Sequence, residues 1–237
     1  MASKKGDEAL ATPEYWDDYY IKPDGDHEWF RTYKQLKPFL AQHLFNREGL
    51  QPKDNPLILH PGSGESEIPR LLAQEGYKRQ LCFDFSDVAV KNMRKQLEED
   101  PVEGMEYIFM NAFTMDKVSD KSVDVAFDKG MMDALIHGDP WNPPKDVREN
   151  TRKYQEQLHR VLKDDGVFLY ITFRQRHFIE PLLMPKDLEP LWDLQMTALV
   201  GNDGSFGYFG WVIRKKGAPV RQLIEVPSET KPDNQEA

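Results

Sequence analysis

The sequence predicts an α/β fold: a seven-stranded, mainly parallel sheet with helices on both faces and an antiparallel hairpin at its C-terminal end. Short apolar segments alternate with amphipathic ones between positions 57 and 173, which is typical of strands joined by crossover helices. A glycine turn, His60-Pro-Gly-Ser-Gly64, directly follows the first apolar segment. Near the end of the chain, two strand-like segments flank a turn rich in Gly, Asn and Asp at 201–207, which predicts the hairpin.

Helices are predicted ahead of the sheet. Residues 1–12 are polar, and we expect them to be disordered. The next segment, 13–21, has helical character and carries aromatic residues, and 32–45 has the apolar spacing of an amphipathic helix. The apolar face of this second helix consists of Leu36, Phe39, Leu40 and Leu44.

Five strands and three helices are predicted in the alternating region. The strands are 57–61, 80–85, 105–112, 123–127 and 167–173, and the helices are 66–75, 87–99 and 144–162. The last of these strands is almost continuously apolar, as expected of a central parallel strand that is buried on both faces. The hairpin strands, 194–200 and 208–215, complete a Rossmann-like sheet.

The length of 237 residues suits one large domain. We expect this domain to cover residues 13–217, with a helical cap segment at 13–50. Residues 218–237 are poor in large apolar side chains and are predicted to form a loose tail.

Composition and charge narrow the function classes. The net charge of −9 argues against nonspecific nucleic-acid binding and is compatible with a basic protein substrate. No segment approaches the roughly 20 apolar residues of a membrane span, and no His/Cys spacing resembles a zinc site, so neither membrane nor metal is expected. The single cysteine, Cys82, favours a reducing compartment, cytoplasmic and also nuclear, and a monomer is the favoured state.

The glycine turn and Asp84 predict a site for adenosine. Asp84 ends the second apolar strand 20 positions after Gly64, the offset at which a βαβ unit places a carboxylate against the ribose hydroxyls. Gly62 and Gly64 let the backbone pass close to a ligand, where a Cβ would clash. The alternative is a glycine turn that binds no nucleotide.

The residues after the turn favour S-adenosyl-L-methionine (SAM) over a dinucleotide. The third glycine of a dinucleotide site would fall at Glu67, and Glu65 and Glu67 at the helix start would repel a pyrophosphate. SAM lacks phosphates and carries a cationic sulfonium. The closing hairpin favours it too, because NAD-binding folds usually end in a parallel strand. SAM is therefore the predicted cofactor, and S-adenosyl-L-homocysteine the product.

Four segments of the sequence carry a family resemblance. They are Glu14-Tyr-Trp-Asp-Asp-Tyr-Tyr20, Trp29-Phe30, the glycine turn with Asp84-Phe-Ser86, and Phe127-Asp-Lys-Gly-Met-Met-Asp-Ala-Leu135. With the hairpin they span about residues 14–217. The chain resembles the class I methyltransferases, and within them the branch of translation elongation factor 1-alpha lysine methyltransferases typified by methyltransferase-like thirteen.

This resemblance implies a set of cofactor-binding residues: Trp16, Tyr20, Trp29, Gly62, Gly64, Asp84, Phe85, Asn111, Ala112 and Lys129. The three N-terminal aromatic residues would form a lid over the cofactor, and the two glycines would pass beneath its amino-acid portion. Asp84 would hold the ribose, Phe85 would lie near the adenine, and Lys129 would lie on the side of the cofactor's carboxylate. Asn111 stands where the family usually has aspartate, and its amide oxygen can still accept a hydrogen bond from adenine.

Asp128 and Asp133 flank the expected position of methyl transfer and are the candidate catalytic residues. A protonated lysine has no lone pair for the attack, so a carboxylate here would bind the ammonium group and take its proton. Asp128, at a strand end, is the stronger candidate. The alternative for Asp133 is an N-terminal helix cap.

The predicted function is SAM-dependent methyl transfer to a protein lysine, with elongation factor 1-alpha as the substrate. The methyltransferase part rests on residues, and the lysine part on the resemblance alone. Two alternatives stay open at this stage: a methyltransferase for oxygen, nitrogen or carbon of a small molecule, and a catalytically silent SAM-binding module.

Overall fold

The computed structural model describes residues 4–22, 28–199 and 207–224. Its strands are β1 (Ile58–Pro61), β2 (Gln80–Asp84), β3 (Met105–Phe109), β4 (Val123–Lys129), β5 (Leu162–Thr172), β6 (Trp192–Leu199) and β7 (Tyr208–Lys215). Within the described ranges they form one seven-stranded sheet in the order β3-β2-β1-β4-β5-β7-β6. The first five strands are parallel, and β7 runs antiparallel to both β5 and β6. The predicted fold class is confirmed.

Helices precede the sheet and connect its strands. They are α1 (Lys4–Ala9), α2 (Pro13–Tyr20), α3 (Tyr33–Leu40), α4 (Ile68–Gln74), α5 (Asp87–Glu99), α6 (Met131–Ala134), α7 (Lys145–Val161) and α8 (Arg176–Leu183). A π-helical turn, Ala41–Phe45, extends α3, and a 3-10 turn, Pro52–Asp54, precedes β1. None of the helices in the described ranges is both long and apolar enough to cross a membrane.

The core has a layer on each face of the sheet. One layer packs α7 and α8 against the strands and contains Tyr154, Leu158, Phe168, Ile179 and Trp192. The opposite layer packs α3 and α4 and contains Leu36, Phe39, Leu40, Leu72 and Leu169. Helices therefore cover both faces, which explains why β5 is apolar from Val167 to Ile171.

Local signals account for several helix starts. Ser86 caps α5, because its hydroxyl accepts a hydrogen bond from the Ala89 N–H at 3.1 Å. Pro69 lies in the first turn of α4, where its missing N–H costs nothing. Pro144 is the residue immediately before α7. The predicted helices at 66–75, 87–99 and 144–162 are each present; the ends of the second match, and those of the other two differ by one or two residues.

Strand β5 begins five residues earlier than the sequence indicates. Leu162 pairs with Val123 directly after α7, and the register then shifts before Val167 pairs with Val125. The intervening Lys163-Asp-Asp-Gly166 is polar, so apolar periodicity could not reveal it. Helices α6 and α8 are also absent from the sequence prediction. The first is a single turn and the second contains Pro181, which weakens the helical signal.

Parts of both chain ends form regular structure, although the sequence predicts a disordered N-terminus and a loose C-terminal tail. Helix α1 lies within the segment predicted to be disordered, and Leu10 after it accepts a hydrogen bond from the Trp16 indole at 2.7 Å. In the predicted loose tail, Leu223 pairs with Arg47 in an isolated bridge. Residues 225–237, and the predicted hairpin turn apart from Gly207, lie outside the described residues.

Candidate cofactor site and active site

A cavity of about 380 Å³ opens at the carboxyl ends of β1, β2 and β4. The strand order reverses between β1 and β4, and ligands of open α/β sheets bind at such a switch point. The predicted site residues in its wall are Trp16, Tyr20, Trp29, Gly62, Asp84, Phe85, Asn111, Ala112, Lys129 and Asp133. The structure thus brings together residues that are spread over more than 100 positions of sequence. Gly64 and Asp128 lie behind this wall.

The glycine turn after β1 requires glycine at two positions. Gly62 and Gly64 have φ angles of +56° and +50°, which side chains of L-residues rarely adopt. A Cβ on Gly62 would lie 2.4 Å from Met131 Cγ, and a Cβ on Gly64 would lie 2.1 Å from the Tyr20 hydroxyl. The turn therefore packs directly against the start of α6 on one side and against α2 on the other.

Asp84 ties the glycine turn to the start of α5. One carboxylate oxygen accepts the Gly64 N–H at 2.9 Å, and the other accepts the Ser86 N–H at 2.9 Å. The side chain borders the cavity but is only 5% exposed. Burial raises the pKa of Asp84 to about 6, although both backbone hydrogen bonds oppose this shift. Each oxygen keeps a lone pair with which it can accept a ligand hydroxyl.

The raised pKa of Asp84 predicts that SAM binds more weakly in acid. Above pH 6 the carboxylate is charged and accepts hydroxyl protons; below it the group is protonated, so affinity is lost as the pH falls through about 6. Calorimetric titration with SAM between roughly pH 8 and pH 5 measures this. Asp84→Asn should bind weakly with little pH dependence. A wild-type affinity that stays constant over this range would contradict the prediction.

Aromatic residues of α2 and of the Glu28–Phe30 segment cover the cavity, and we call these two pieces the lid. The Trp16 ring centroid lies 5.8 Å from that of Tyr20 and 5.2 Å from that of Trp29. Asp17 fastens α2 to α5, because its carboxylate accepts the Ser86 hydroxyl at 2.6 Å. The indole Nε1 of Trp29, a residue of the cavity wall, is buried and has no hydrogen-bond partner among the described residues.

Lys129 and Asn111 lie at the two sides of the cavity. Lys129 ends β4, and its Nζ donates to the Trp29 carbonyl oxygen at 2.6 Å and pairs with Glu28 at 2.5 Å. Asn111 follows β3, and its Oδ1 accepts the Phe113 N–H at 2.8 Å. That contact shapes the turn and leaves one lone pair of the amide oxygen for an adenine edge.

The structure places the two candidate catalytic acids in different surroundings. Asp128 is fully buried, and its carboxylate accepts the Met131 N–H at 2.8 Å, the Met132 N–H at 3.1 Å and the Tyr154 hydroxyl at 2.9 Å. It therefore caps α6, the role that the sequence offered as the alternative for Asp133. A strand end can face the core as well as the cavity, and of these two acids Asp133 is the one in the cavity wall. The catalytic roles of both stay predictions.

Asp133 borders the cavity and is held in a network from β5. Its two oxygens accept the Tyr170 hydroxyl at 2.6 Å and the Thr172 hydroxyl at 2.7 Å, and Arg174 Nε lies 3.2 Å from one of them. Burial raises the pKa of Asp133 to about 6 against the opposing effect of these partners. A carboxyl group with this pKa is suited to exchanging a proton near neutral pH.

Several residues of the cavity wall were not identified from the sequence. Phe30 and Phe173 meet with ring centroids 5.5 Å apart, and Arg174 follows directly. Leu10 and Ala11 join the wall from the segment expected to be disordered. Phe173 could have been found from the sequence, since it ends the predicted strand 167–173, which lies next to the switch point. The contacts of the N-terminal segment could not, because they depend on how α1 and α2 fold back over the sheet.

Two buried residues of the βαβ unit are structural. His60 Nε2 donates a hydrogen bond to Gln80 Oε1 at 2.8 Å, and burial lowers the pKa of His60 to about 4. Cys82 is a free, buried thiol whose pKa burial raises. In the described part of the chain, no group of three or more His, Cys, Asp or Glu side chains is arranged to hold a metal ion.

The sheet order, the glycine turn and Asp84 define the class of this protein as a SAM-dependent methyltransferase. A family model described as a methyltransferase domain matches residues 52–199. This is more than half of the chain, and the chain belongs to that family. Because the family and the fold imply SAM, the residues of the cavity can be compared with its chemical groups.

Sequence relatives point to one branch of this family. The chain is 26% identical over 180 residues to the eEF1A lysine and N-terminal methyltransferase of Xenopus laevis, covering 76% of this chain and 24% of that protein. It is 28% identical over 176 residues to the EEF1A lysine methyltransferase 4 of Mus musculus, covering 70% of this chain and 65% of that protein. The chain thus spans a quarter of the first relative's length and just under two thirds of the second's.

Solved structures agree on the fold. A SAM-dependent methyltransferase from Aquifex aeolicus superposes with a TM-score of 0.53 at 13% identity, over 85% of this chain and 98% of that one. A structure described as the conversion of a disulfide bond into a thioacetal group during echinomycin biosynthesis gives 0.57 at 16% identity, over 86% and 94%. At these identities the likeness concerns the fold alone.

The residues of the cavity fit SAM. The turn at Gly62 and Gly64 leaves a cradle that side chains would fill, and Asp84 offers a buried acceptor for ribose hydroxyls. The unpartnered indole N–H of Trp29 suits a ligand acceptor, and the rings of the lid suit a sulfonium, because aromatic faces attract cations. These roles remain predictions for the individual residues.

Proposed function

We propose that this methyltransferase transfers a methyl group to the ε-amino group of a lysine on a protein, with a translation elongation factor as the substrate. The observation that carries the proposal is the position of Asp133, a carboxylate in the cavity wall on the β4–β5 side. The relatives from Xenopus laevis and Mus musculus, both described as eEF1A lysine methyltransferases, support the choice of substrate.

Bound SAM supplies an electrophilic methyl group. The chain's own residues must then present an uncharged amine, because a lysine ammonium of ordinary pKa ~10.4 has no lone pair. Asp133 attracts the ammonium group and accepts its proton, while Tyr170 and Thr172 keep the carboxylate oriented. Phe30 and Phe173 meet at the same cavity and exclude water from the transfer.

The net charge of −9 supports a basic protein partner. Opposite net charges raise the rate of encounter between a protein and its substrate. No observation favours a small-molecule acceptor in the same way, and that alternative becomes an outcome of the test.

Methyl-labelled SAM added to the purified protein and a cell lysate tests this function. We expect label in one protein band at the size of elongation factor 1-alpha, on lysine by mass spectrometry. Asp133→Asn should label that band much more slowly while binding SAM with unchanged affinity, because it keeps the shape of the carboxylate but not its charge. Label found only in small metabolites would overturn the proposal, and so would full activity of Asp133→Asn.

A further inference from the structure

One carboxylate of the lid bridges the two strand ends that border the cavity. Glu28 accepts the Ser66 hydroxyl at 2.9 Å and the Glu67 N–H at 2.9 Å, both in the turn between β1 and α4. The same carboxylate pairs with Lys129 Nζ at 2.5 Å at the end of β4. Glu28 therefore connects the lid to both sides of the switch point at once.

The Glu28–Lys129 pair is largely shielded from water. The side chains are 16% and 7% exposed, whereas those of the surface pair Glu75–Lys37 are 37% and 53% exposed. Exposed pairs contribute little, because water screens them. Removing one member of a shielded pair leaves the other charge uncompensated, so the loss is large. Glu28 therefore belongs to a shielded ion pair that can hold the lid in place, unlike a solvated surface residue.

The two residues that follow Glu28, Trp29 and Phe30, depend on contacts of this kind to keep their positions. Lys129 also donates to the Trp29 carbonyl oxygen at 2.6 Å, so it holds two consecutive lid residues. Phe30 has a φ angle of +68°, an unfavourable conformation for a residue with a side chain. Its ring lies so close to Gly130 that a Cβ there would be 2.8 Å from Phe30 Cε2. The strained backbone persists because neighbouring contacts hold it.

The contacts of Glu28 also give a different explanation for why the turn before α4 would not bind a pyrophosphate. The sequence suggested that Glu65 and Glu67 at the start of α4 repel a pyrophosphate. In the structure the Glu65 carboxylate instead accepts Asn92 Nδ2 at 2.7 Å. The backbone N–H of Glu67 is engaged by Glu28, which comes from the lid. The Ser66 hydroxyl and the Glu67 N–H are therefore already engaged within the chain.

We propose that Glu28 is a positioning residue that locks the aromatic lid over the bound cofactor by bridging Ser66, Glu67 and Lys129. It acts through Lys129 and Trp29 and does not itself touch the cofactor. The inference rests on SAM being the cofactor of the proposed function. Its consequence is that Glu28 sets the residence time of SAM, because the lid cannot stay closed without it.

The affinity of Glu28→Gln for SAM tests this lock. Glutamine has the size of glutamate but no charge to pair with Lys129, so we expect roughly tenfold weaker binding and faster dissociation. Glu75→Gln, in the exposed pair with Lys37 outside the lid and the cavity wall, likewise takes a carboxylate charge away from a lysine and should bind like the wild type. Equal affinities of Glu28→Gln and the wild type would overturn the inference.

A double-mutant cycle with Lys129→Met separates the lock from a general loss of stability. If Glu28 acts through Lys129, Glu28→Gln should weaken SAM binding far less, by about threefold or under, when Lys129 is already methionine. Equal losses in both backgrounds would show that Glu28 does not act through Lys129, and the inference would fail. A wild-type protein that does not bind SAM would instead overturn the cofactor assignment.

Discussion

Replacing Asp84 with alanine is expected to weaken SAM binding by about a hundredfold or more. The variant loses a charged acceptor for ribose hydroxyls, and a hydrogen bond to a charged group contributes about 1.5–3 kcal/mol, so two of them reach this size. It also frees the N–H groups of Gly64 and Ser86, which loosens the glycine turn. Calorimetric titration with SAM measures the loss.

Asp124→Ala is the matched control for this experiment. Asp124 is buried to the same extent as Asp84, accepts a backbone N–H from Leu57 at 2.9 Å and pairs with Lys163 at 2.7 Å. It lies at the start of β4, at the opposite end of the sheet from the cavity. The control should lower the melting temperature and keep the affinity for SAM. Equal losses of affinity in the two variants would refute a ligand-binding role for Asp84.

Gly64→Ala should also remove most of the SAM binding, through the lid. The new Cβ would lie 2.1 Å from the Tyr20 hydroxyl and 3.0 Å from the ring carbon that bears it, so α2 must move away from the turn. The positive φ of +50° adds a backbone penalty of about 1 kcal/mol. We expect SAM affinity to fall by at least about tenfold, a loss that exceeds this backbone penalty alone.

Two further variants separate the clash from the backbone penalty. Gly217→Ala adds a Cβ at φ +72° with no atom within 4 Å, so it should cost stability but leave SAM binding unchanged. Tyr20→Phe in the Gly64→Ala background removes the clashing hydroxyl and should recover part of the lost affinity. Failure of that rescue, with full affinity of the Tyr20→Phe single variant, would contradict the steric explanation.

Most strands and helices could be predicted from the spacing of apolar residues, because the parallel part of the sheet is buried on both faces. A central strand segment such as 167–171 of β5 must be apolar, and the crossover helices must be amphipathic to cover it. Periodicity failed where a segment is polar or short. Lys163-Asp-Asp-Gly166 lies within β5 at a shift of register, and α6 is one turn, so neither leaves an apolar pattern.

The residues of the ligand site also divide into those that the sequence could predict and those that it could not. Gly62, Gly64 and Asp84 could be recognised because their roles depend on backbone geometry and on a fixed offset within one βαβ unit. Which of Asp128 and Asp133 borders the cavity could not be predicted correctly, since both lie near the end of the same strand. Only the packing of α6 against α7 and β5 decides that Asp128 faces Tyr154 in the core while Asp133 reaches the cavity wall.

The amino-acid sequence alone therefore determined the class of fold, the glycine turn and the carboxylate that marks an adenosine site, because these are local in the chain. The tertiary structure decided which acid borders the cavity and what holds the lid. Glu28 and Lys129 are about 100 positions apart, and no local pattern connects them. Their contact exists only because the sheet brings the end of β4 beside the turn after β1, where the lid folds down onto both.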